Sequence, residues 1–332
     1  MPDNSKSATQ NLWDFYGGGG DPIVHETKEI KTVAICLGLG PFLPQVPWTI
    51  IIMMNFVENT TTSPRVTRVI HSESGVSGVT SLDDDVFIVR FLIPQVEVYD
   101  AVTFTLQHCL SLPGRHSQGL AVCASNKCLY ASDYRNACVH RVELTGSNAV
   151  TKWSVGQQPA GLTVNSAKNV VVVIQEDHKL QEFTTHGTLL QTIQLRADIR
   201  CPSQVVQLSN GQFVISHGVT HSRVCLLDVH GAVVRSYGGT PGSDLTKLDR
   251  PRGLTVDKYG NILVADRDNN RLLVLERSLT SAHEMSVSVD GGLKYPFSLW
   301  YDKSRGRLYV GEWYGGRVII IDHLKDFTAS HT

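Results

Sequence analysis

Two histidines have a spacing that is compatible with metal binding. His217 and His221 lie four residues apart in the segment HGVTH. On a helix that spacing would place both imidazoles on one face, but Gly218 indicates a turn at this point. We therefore predict no metal site at these histidines.

Three consecutive aspartates form a second candidate site for a cation. Asp83, Asp84 and Asp85 separate two short apolar runs, which favours a solvated hairpin turn over a binding site. The sequence shows neither a serine-nucleophile motif nor a phosphate-binding glycine loop. We predict that the chain has no catalytic residue, binds no metal and needs no cofactor.

The chain has seven cysteines, and no two of them form a C-x-x-C pair. Structural zinc sites usually contain such pairs, so the pattern argues against one. Cys123, Cys128 and Cys138 lie on or near consecutive predicted strands, where they can approach each other. The odd number favours free, mostly buried thiols in a reducing compartment, and we expect a cytoplasmic protein.

Composition gives only broad limits on the function. A chain of 332 residues with 42% hydrophobic residues can form two average domains or one large all-β domain. The formal net charge of −1 provides no global attraction to nucleic acid or to acidic membranes. We expect neither DNA binding nor membrane binding, and any contact with RNA would need a local basic patch.

The elements that position these residues repeat along the chain. Residues 250–275 read as three short apolar strands joined by tight turns, which alone could not bury both faces. Related segments begin at Gly78, Gly119, Gly161, Gln204, Gly253 and Ser298, at intervals of 41 to 49 residues. This period, with four strands in each unit, predicts an all-β, six-bladed β-propeller of four-stranded antiparallel blades.

Fourth strands are expected within residues 103–112, 149–155, 188–195, 232–237 and 284–289. The sixth unit lacks one, because only a short polar tail follows it. We predict that residues 65–71 pair with residues 318–322 and close the ring, since an open ring would leave an unpaired sheet edge. The propeller then occupies residues 64–324, and residues 325–332 form a tail.

Residues 1–63 differ from the repeats and are expected to lie outside the propeller. They contain a glycine-rich segment and an uncharged run from Thr32 to Val57 that is interrupted by prolines. The prolines argue against a continuous membrane-spanning helix. We expect an irregular or disordered extension, with an atypical membrane anchor or re-entrant segment as the alternative.

The best-preserved unit resembles the NHL repeat. The resemblance rests on the segments PRGLTVD at 251–257, GNILVAD at 260–266 and NR at 270–271. Over residues 64–324 the chain is similar to the C-terminal propellers of TRIM-type ubiquitin ligases and their relatives that lack a RING. The resemblance implies a module that binds RNA hairpins or proteins, including ligase substrates. No RING or B-box cysteine pattern is present in this sequence, so ligase activity is not implied.

Turns between second and third strands, and loops before first strands, should share one face of a propeller. These segments are rich in arginine and aromatic residues, a composition favoured at protein interfaces and in contacts with phosphates and bases. We expect few acidic residues there apart from Asp177 and residues 266–268. The predicted binding residues are Arg115, Tyr134, Arg135, His178, Lys179, His217, His221, Arg223, Arg252, Arg267, Asn270, Arg271, Tyr295, Trp313, Tyr314 and Arg317.

These features together predict a monomeric, non-enzymatic module that binds a protein partner. Recognition of substrates for a ubiquitin ligase is the specific role that the resemblance implies. Binding of structured RNA is the alternative, although the propeller segment carries a formal charge of only about +2. A metal-dependent propeller hydrolase or lyase is a distant third candidate, because no recurrent set of acidic residues or histidines opens the inner strands.

Overall fold

The computed structural model describes residues 64–114 and 117–322, and the backbone of three strands nearer the N-terminus. These strands are β1 (Ile23–Thr27), β2 (Ile30–Cys36) and β3 (Ile51–Phe56), paired antiparallel in that order. They belong to a unit that ends at residue 61, and a second unit starts at residue 62. The other predictions for residues 1–63 and for residues 325–332 fall outside the described residues. No described helix is long and apolar enough to cross a membrane.

The second unit consists of six antiparallel sheets of four strands each. Five of them run in sequence order, and the sixth takes its outer strand from the start of the unit. Blades 1 to 3 comprise β5 (Val76–Leu82), β6 (Asp85–Arg90), β7 (Gln95–Asp100) and β8 (Leu106–Ser111); β9 (Ser117–Cys123), β10 (Cys128–Asp133), β11 (Cys138–Glu143) and β12 (Val150–Ser154); and β13 (Pro159–Val164), β14 (Val170–Ile174), β15 (Lys179–Phe183) and β16 (Leu189–Gln194).

Blades 4 to 6 have the same layout, with one short 3-10 helix at Arg267–Asn269 in blade 5. They comprise β17 (Pro202–Gln207), β18 (Phe213–His217), β19 (Ser222–Leu227) and β20 (Val233–Gly239); β21 (Pro251–Val256), β22 (Ile262–Asp266), β23 (Arg271–Leu275) and β24 (Ala282–Met285); and β25 (Pro296–Asp302), β26 (Arg307–Glu312), β27 (Val318–Asp322) and β4 (Arg65–Ile70).

The hydrophobic core is divided among the contacts between neighbouring blades. Each of six buried clusters joins two adjacent blades, and the last joins blade 6 to blade 1. The second strands lie in the middle of this packing, and β14 (VVVVI) is buried along its whole length. A strand that is buried on both faces reads as a continuous apolar run, which explains the sequence of these strands.

The first strands of the blades approach each other closely around the central axis. A Cβ atom added at Gly119 would lie 3.0 Å from the carbonyl oxygen of Ala160, and one at Gly253 would lie 2.8 Å from the carbonyl oxygen of Phe297. Every first strand also shows a register shift against its second strand, as between Pro251 and Leu254. In β13 and β21 the Pro-x-Gly motif lies at this bulge.

The ring is closed by the strand that the sequence predicts. β4 pairs antiparallel with β27, and Ile70 lies opposite Val318. The six-bladed fold and this closure are confirmed. One fourth strand was placed inaccurately: β24 covers Ala282–Met285, whereas residues 284–289 were expected. Residues 284–289 (EMSVSV) alternate between polar and apolar and so favour a strand there, although the pairing itself occurs at Ala282–Met285.

Candidate binding face

One face of the propeller carries the predicted binding residues. In an antiparallel pair, the start of the first strand and the end of the second lie at the same edge. The loops before the first strands and the turns between the second and third strands therefore meet on one side, which we call the upper face. It comprises residues 71–75, 91–94, 112–114, 134–137, 155–158, 175–178, 195–201, 218–221, 240–250, 267–270, 286–295 and 313–317. Arg115 falls outside the described residues.

Two of the predicted binding arginines are buried and hold loops in place. In blade 5 the Arg271 Nε atom donates to the Asp266 Oδ2 atom at 2.8 Å. Its terminal nitrogens donate to the carbonyl oxygens of Ser243 at 2.5 Å and Lys247 at 2.9 Å. The Arg271 side chain is only 8% exposed. It fixes the loop before blade 5 and offers no free charge to a partner.

Blade 6 repeats this arrangement. The Arg317 Nε atom donates to the Glu312 Oε2 atom at 2.6 Å, and its terminal nitrogens donate to the carbonyl oxygens of Asp290 and Gly292. Burial raises the pKa of the equivalent blade 5 carboxyl, Asp266, above its ordinary value. Arg271 and Arg317, which the sequence predicts as binding residues, are thus buried in ion pairs within their own blades.

Several other predicted residues are also engaged within the face. Arg223 pairs with Asp198 at 3.1 Å, and Lys179 pairs with Asp177 at 2.6 Å. The Asn270 side chain accepts a hydrogen bond from the Tyr295 backbone at 2.7 Å and so joins two loops. His178 is half-buried at the turn before β15, whereas His221 is exposed. His217 lies buried at the end of β18, where burial and Arg223 lower its pKa to about 4.

Acidic residues are more frequent on the upper face than the sequence suggested. Besides Asp177 and the 266–268 segment, its loops carry Glu176, Asp198, Asp244, Asp249 and Asp290. The sequence pattern missed them because most lie in the long loops before the first strands. Within the described part of the chain, the arginines on the upper face or at its edge that form no ion pair are Arg135, Arg200 and Arg252.

Arg252 stands at the centre of the face, where the axis opens. Its Nη1 atom reaches the Ser203 hydroxyl at a long 3.4 Å. Its Nε atom is buried without a hydrogen-bond partner among the described residues. Burial and the charge of Arg267 lower the pKa of Arg252 below its ordinary value. Arg252 is half-buried, and a partly desolvated cation without a carboxylate partner is costly, so this group is poised to receive an anion.

Aromatic side chains line this opening, which we call the channel mouth (Phe91, Tyr134, Arg252, Phe297 and Trp313). The Arg252 guanidinium lies 5.8 Å from the centre of the Phe297 ring. The Trp313 ring lies 4.6 Å from Phe297 and 4.5 Å from Phe91, measured between centroids. Tyr134 donates to the Gln158 amide oxygen at 2.8 Å on the opposite side. Phe91 is absent from the predicted binding residues, because it belongs to the unit that begins at Gly78, which departs most from the NHL pattern.

A second aromatic group lies beside the channel mouth. Arg267 sits 5.6 Å from the centre of the Tyr295 ring, and the Tyr295 and Tyr314 rings meet edge to face at 4.8 Å. Tyr314 is 69% exposed. An exposed aromatic ring with an adjacent guanidinium supplies apolar contact area at a low conformational cost, as binding surfaces often do.

The axis below the channel mouth is narrow. A cavity of about 30 Å³ lies there, lined mainly by glycine, serine and aliphatic residues of the first strands. Such a volume holds one or two water molecules. Arg252 is the one ionisable side chain among the residues that line it.

One group of three possible metal ligands lies away from the axis, inside blade 2. Asp133, Cys138 and His140 place one ligand atom each within 4.8 Å of one another. The sequence does not reveal this group, because the group contains a single cysteine and no C-x-x-C pair. The three ligands come from two strands of one hairpin and have no familiar spacing.

Comparisons with known proteins agree with this fold. The family model described as the NHL repeat matches residues 248–275. The protein brain tumor of Drosophila melanogaster is 23% identical over 136 residues, which make up 40% of this chain and 12% of that protein. The match thus covers about an eighth of the length of this curated relative. The chain carries an NHL repeat within a six-bladed propeller, a fold that is consistent with a binding module.

Solved structures give the same picture of the fold. A virginiamycin B lyase from Staphylococcus aureus superimposes with a TM-score of 0.58 at 9% identity, covering 77% of this chain and 99% of that one. A structural genomics protein from Bacteroides thetaiotaomicron gives a TM-score of 0.63 at 13% identity, covering 91% of this chain and 90% of that one. At such identities the likeness shows the fold alone.

Proposed function

We propose that this six-bladed NHL-repeat propeller is a non-enzymatic module whose channel mouth binds an acidic group of a protein partner. The observation that carries the proposal is the unpaired guanidinium of Arg252. In blades 5 and 6, Arg271 and Arg317 each face a buried carboxylate of the same blade. Arg252 lacks such a partner among the described residues, so a ligand carboxylate would supply it.

The surroundings of Arg252 suit a peptide better than an isolated ion. Phe297, Trp313 and Phe91 form an apolar wall beside the guanidinium. Aromatic and arginine side chains together, partly shielded from water, are the composition of interface hot spots. A ligand carboxylate would pair with the Arg252 guanidinium, and an adjacent apolar side chain of the ligand would pack against the aromatic rings.

A display selection tests the proposal, with a library of random peptides as the displayed molecules and the full chain as the target. We expect the enriched peptides to share an acidic residue or a free C-terminal carboxylate beside an apolar residue. Arg252→Met should weaken their binding at least about thirty-fold, because truncating one member of a buried charge pair costs several kcal/mol. Arg68→Met, on the exposed outer strand β4, is the matched control and should leave binding unchanged.

Enrichment of neutral or basic peptides, or of acidic peptides whose binding survives Arg252→Met, would contradict the proposal. Circular dichroism of both variants checks that the propeller remains folded. Isothermal titration with one enriched peptide gives the affinities that decide between the outcomes.

Structured RNA is the second candidate, favoured by the unpaired Arg135 and Arg200 and by the exposed Tyr314 ring. If these cations and Arg252 contact phosphates, the logarithm of the affinity should fall with the logarithm of the salt concentration with a slope of about −2 to −3. Arg135→Gln with Arg200→Gln should reduce that slope by about 2. A pool of structured RNAs whose binding shows no salt dependence would exclude this candidate.

The remaining parts of the proposal concern the cellular role. We propose that the chain acts without catalysis; among the described residues that line the narrow axial cavity, Arg252 is the only ionisable one. Recognition of substrates for a ubiquitin ligase is one role that an acidic-peptide receptor would serve. The six described cysteines are free, which supports a reducing, cytoplasmic location. We propose that the propeller acts as a monomer.

A further inference from the structure

We propose that the Asp133, Cys138 and His140 cluster of blade 2 is a zinc site. It lies at the end of β10 and the start of β11, where Asp133 pairs with Cys138. All three side chains are buried, with exposed fractions of 0%, 4% and 0%. A thiolate, an imidazole and a carboxylate together are ligands that Zn²⁺ accepts and that Mg²⁺ and Ca²⁺ do not favour.

The distances from His140 to the other two ligand atoms fit a tetrahedral zinc site, and the distance to Asp133 is long for a direct hydrogen bond. The His140 Nε2 atom lies 3.4 Å from the Asp133 Oδ2 atom and 3.6 Å from the Cys138 Sγ atom. Ordinary N–H···O hydrogen bonds measure about 2.7–3.2 Å, so the first contact is long for one. In a tetrahedral zinc site with usual bond lengths, the nitrogen lies about 3.3 Å from the oxygen and about 3.6 Å from the sulfur.

Comparison between blades supplies an independent argument. The position of Asp133 is held by Asp266 in blade 5 and by Glu312 in blade 6, and that of Cys138 by Arg271 and Arg317. In those blades the arginine neutralises the buried carboxylate. Blade 2 keeps the carboxylate and has a cysteine in place of the cation, so among the described residues Asp133 pairs with no arginine or lysine.

His140 does not replace the missing arginine. Unlike a guanidinium, an imidazole carries no permanent charge, and this one is fully buried. Its Nδ1 atom has no hydrogen-bond partner among the described residues, so all its described polar contacts go to Asp133 and Cys138. A Zn²⁺ ion bound by one carboxylate, one thiolate and one neutral imidazole gives a site without net charge. That restores the neutrality seen in blades 5 and 6.

The surroundings hold the carboxylate in position. Asn136 donates to both oxygens of Asp133, from its backbone at 3.1 Å and from its side chain at 2.8 Å. Such outer contacts orient metal ligands. The loop before β9 passes directly over the cluster, because a Cβ atom at Gly114 would lie 2.0 Å from the Asp133 Oδ2 atom. Three protein ligands leave the fourth coordination position to a water molecule.

Metal content of the full chain tests the proposal. We expect the purified protein, equilibrated with Zn²⁺ and then freed of unbound metal, to retain about one zinc ion per chain. Cys138→Ser should lower this at least about ten-fold, since the thiolate is lost. The matched control is Cys225→Ser in blade 4, which removes a buried thiol that also contacts a histidine, His217, at 3.4 Å. It should retain the metal.

Cobalt substitution provides a second measurement that a purely structural role of Cys138 would not affect. The Co²⁺ form of the wild-type chain should show thiolate-to-cobalt charge-transfer absorption, and the Cys138→Ser form should lack it. A wild-type chain that retains no more Zn²⁺ or Co²⁺ than the Cys138→Ser variant would overturn the proposal. Loss of metal in Cys225→Ser with retention in Cys138→Ser would do the same.

Discussion

Arginines of the same upper face differ in function because their neighbours differ. Arg271 and Arg317 close buried ion pairs and tie down loops, whereas Arg252 has neither a carboxylate partner nor a bond to its Nε atom among the described residues. From the sequence alone these three residues look equivalent, since each stands in or beside a polar turn. Burial and pairing, which only the folded chain defines, separate scaffold from candidate binding residue.

Removing one of the scaffold arginines should destabilise the propeller. We expect Arg271→Met to lower the free energy of unfolding by about 3–5 kcal/mol, because the Asp266 carboxylate stays buried without a counter-charge. The double variant Asp266→Leu with Arg271→Met should recover part of the loss. Urea denaturation measures the effect, and the exposed Arg235→Met should stay within about 0.5 kcal/mol of the wild type. Equal effects at Arg271 and Arg235 would contradict the assignment.

The buried His217 should make stability depend on pH. Its pKa is about 4 in the folded protein, against an ordinary value of 6.5. Between these values the unfolded chain binds the proton and the folded chain does not. The free energy of unfolding should therefore fall by about 3 kcal/mol as the pH drops from 6.5 to 4. Asp198, Arg223, His221 and Cys225 are the ionisable neighbours of this imidazole.

Denaturation curves of His217→Gln measured across this pH range check the expectation. The variant should show a flatter dependence than the wild type, because glutamine does not titrate, while His221→Gln should follow the wild-type profile. A profile of His217→Gln that is parallel to that of the wild type would assign the acid sensitivity to other groups.

At the scale of strands, the sequence was a good guide to order and a poorer guide to ends. Apolar runs such as β14 predicted the buried second strands, and turn glycines predicted the hairpins. The outer strand β24 was shifted because a half-exposed edge strand has no strong pattern to fix its limits. The Asp133, Cys138 and His140 cluster could not be predicted from the sequence for a related reason. Asp133 and Cys138 face each other only through the pairing of β10 with β11.

At the scale of the whole molecule, stability depends on a ring without an open edge. Deletion of residues 65–71 removes β4 and leaves the backbone of β27 unpaired. We expect the deleted protein to melt at a lower temperature and to self-associate, because exposed edges pair with other chains. Differential scanning calorimetry and light scattering measure both effects. Arg68→Gln, which keeps the strand, is the control; a deleted chain that stays monomeric with the same melting temperature would show that β4 does not stabilise the ring.

Joining the first and last strands of the propeller in one blade also orders events during synthesis on the ribosome. The Thr67 hydroxyl donates to the carbonyl oxygen of Ile320, and the two residues are 253 positions apart. Five blades can form as they emerge, but the sixth must wait for almost the entire chain, and contacts of such long range form slowly. Until then β4 and the side of blade 5 that faces blade 6 lack their partners. A chain released before residue 318 would thus leave the ribosome with its closing strand already made and nothing to pair it with.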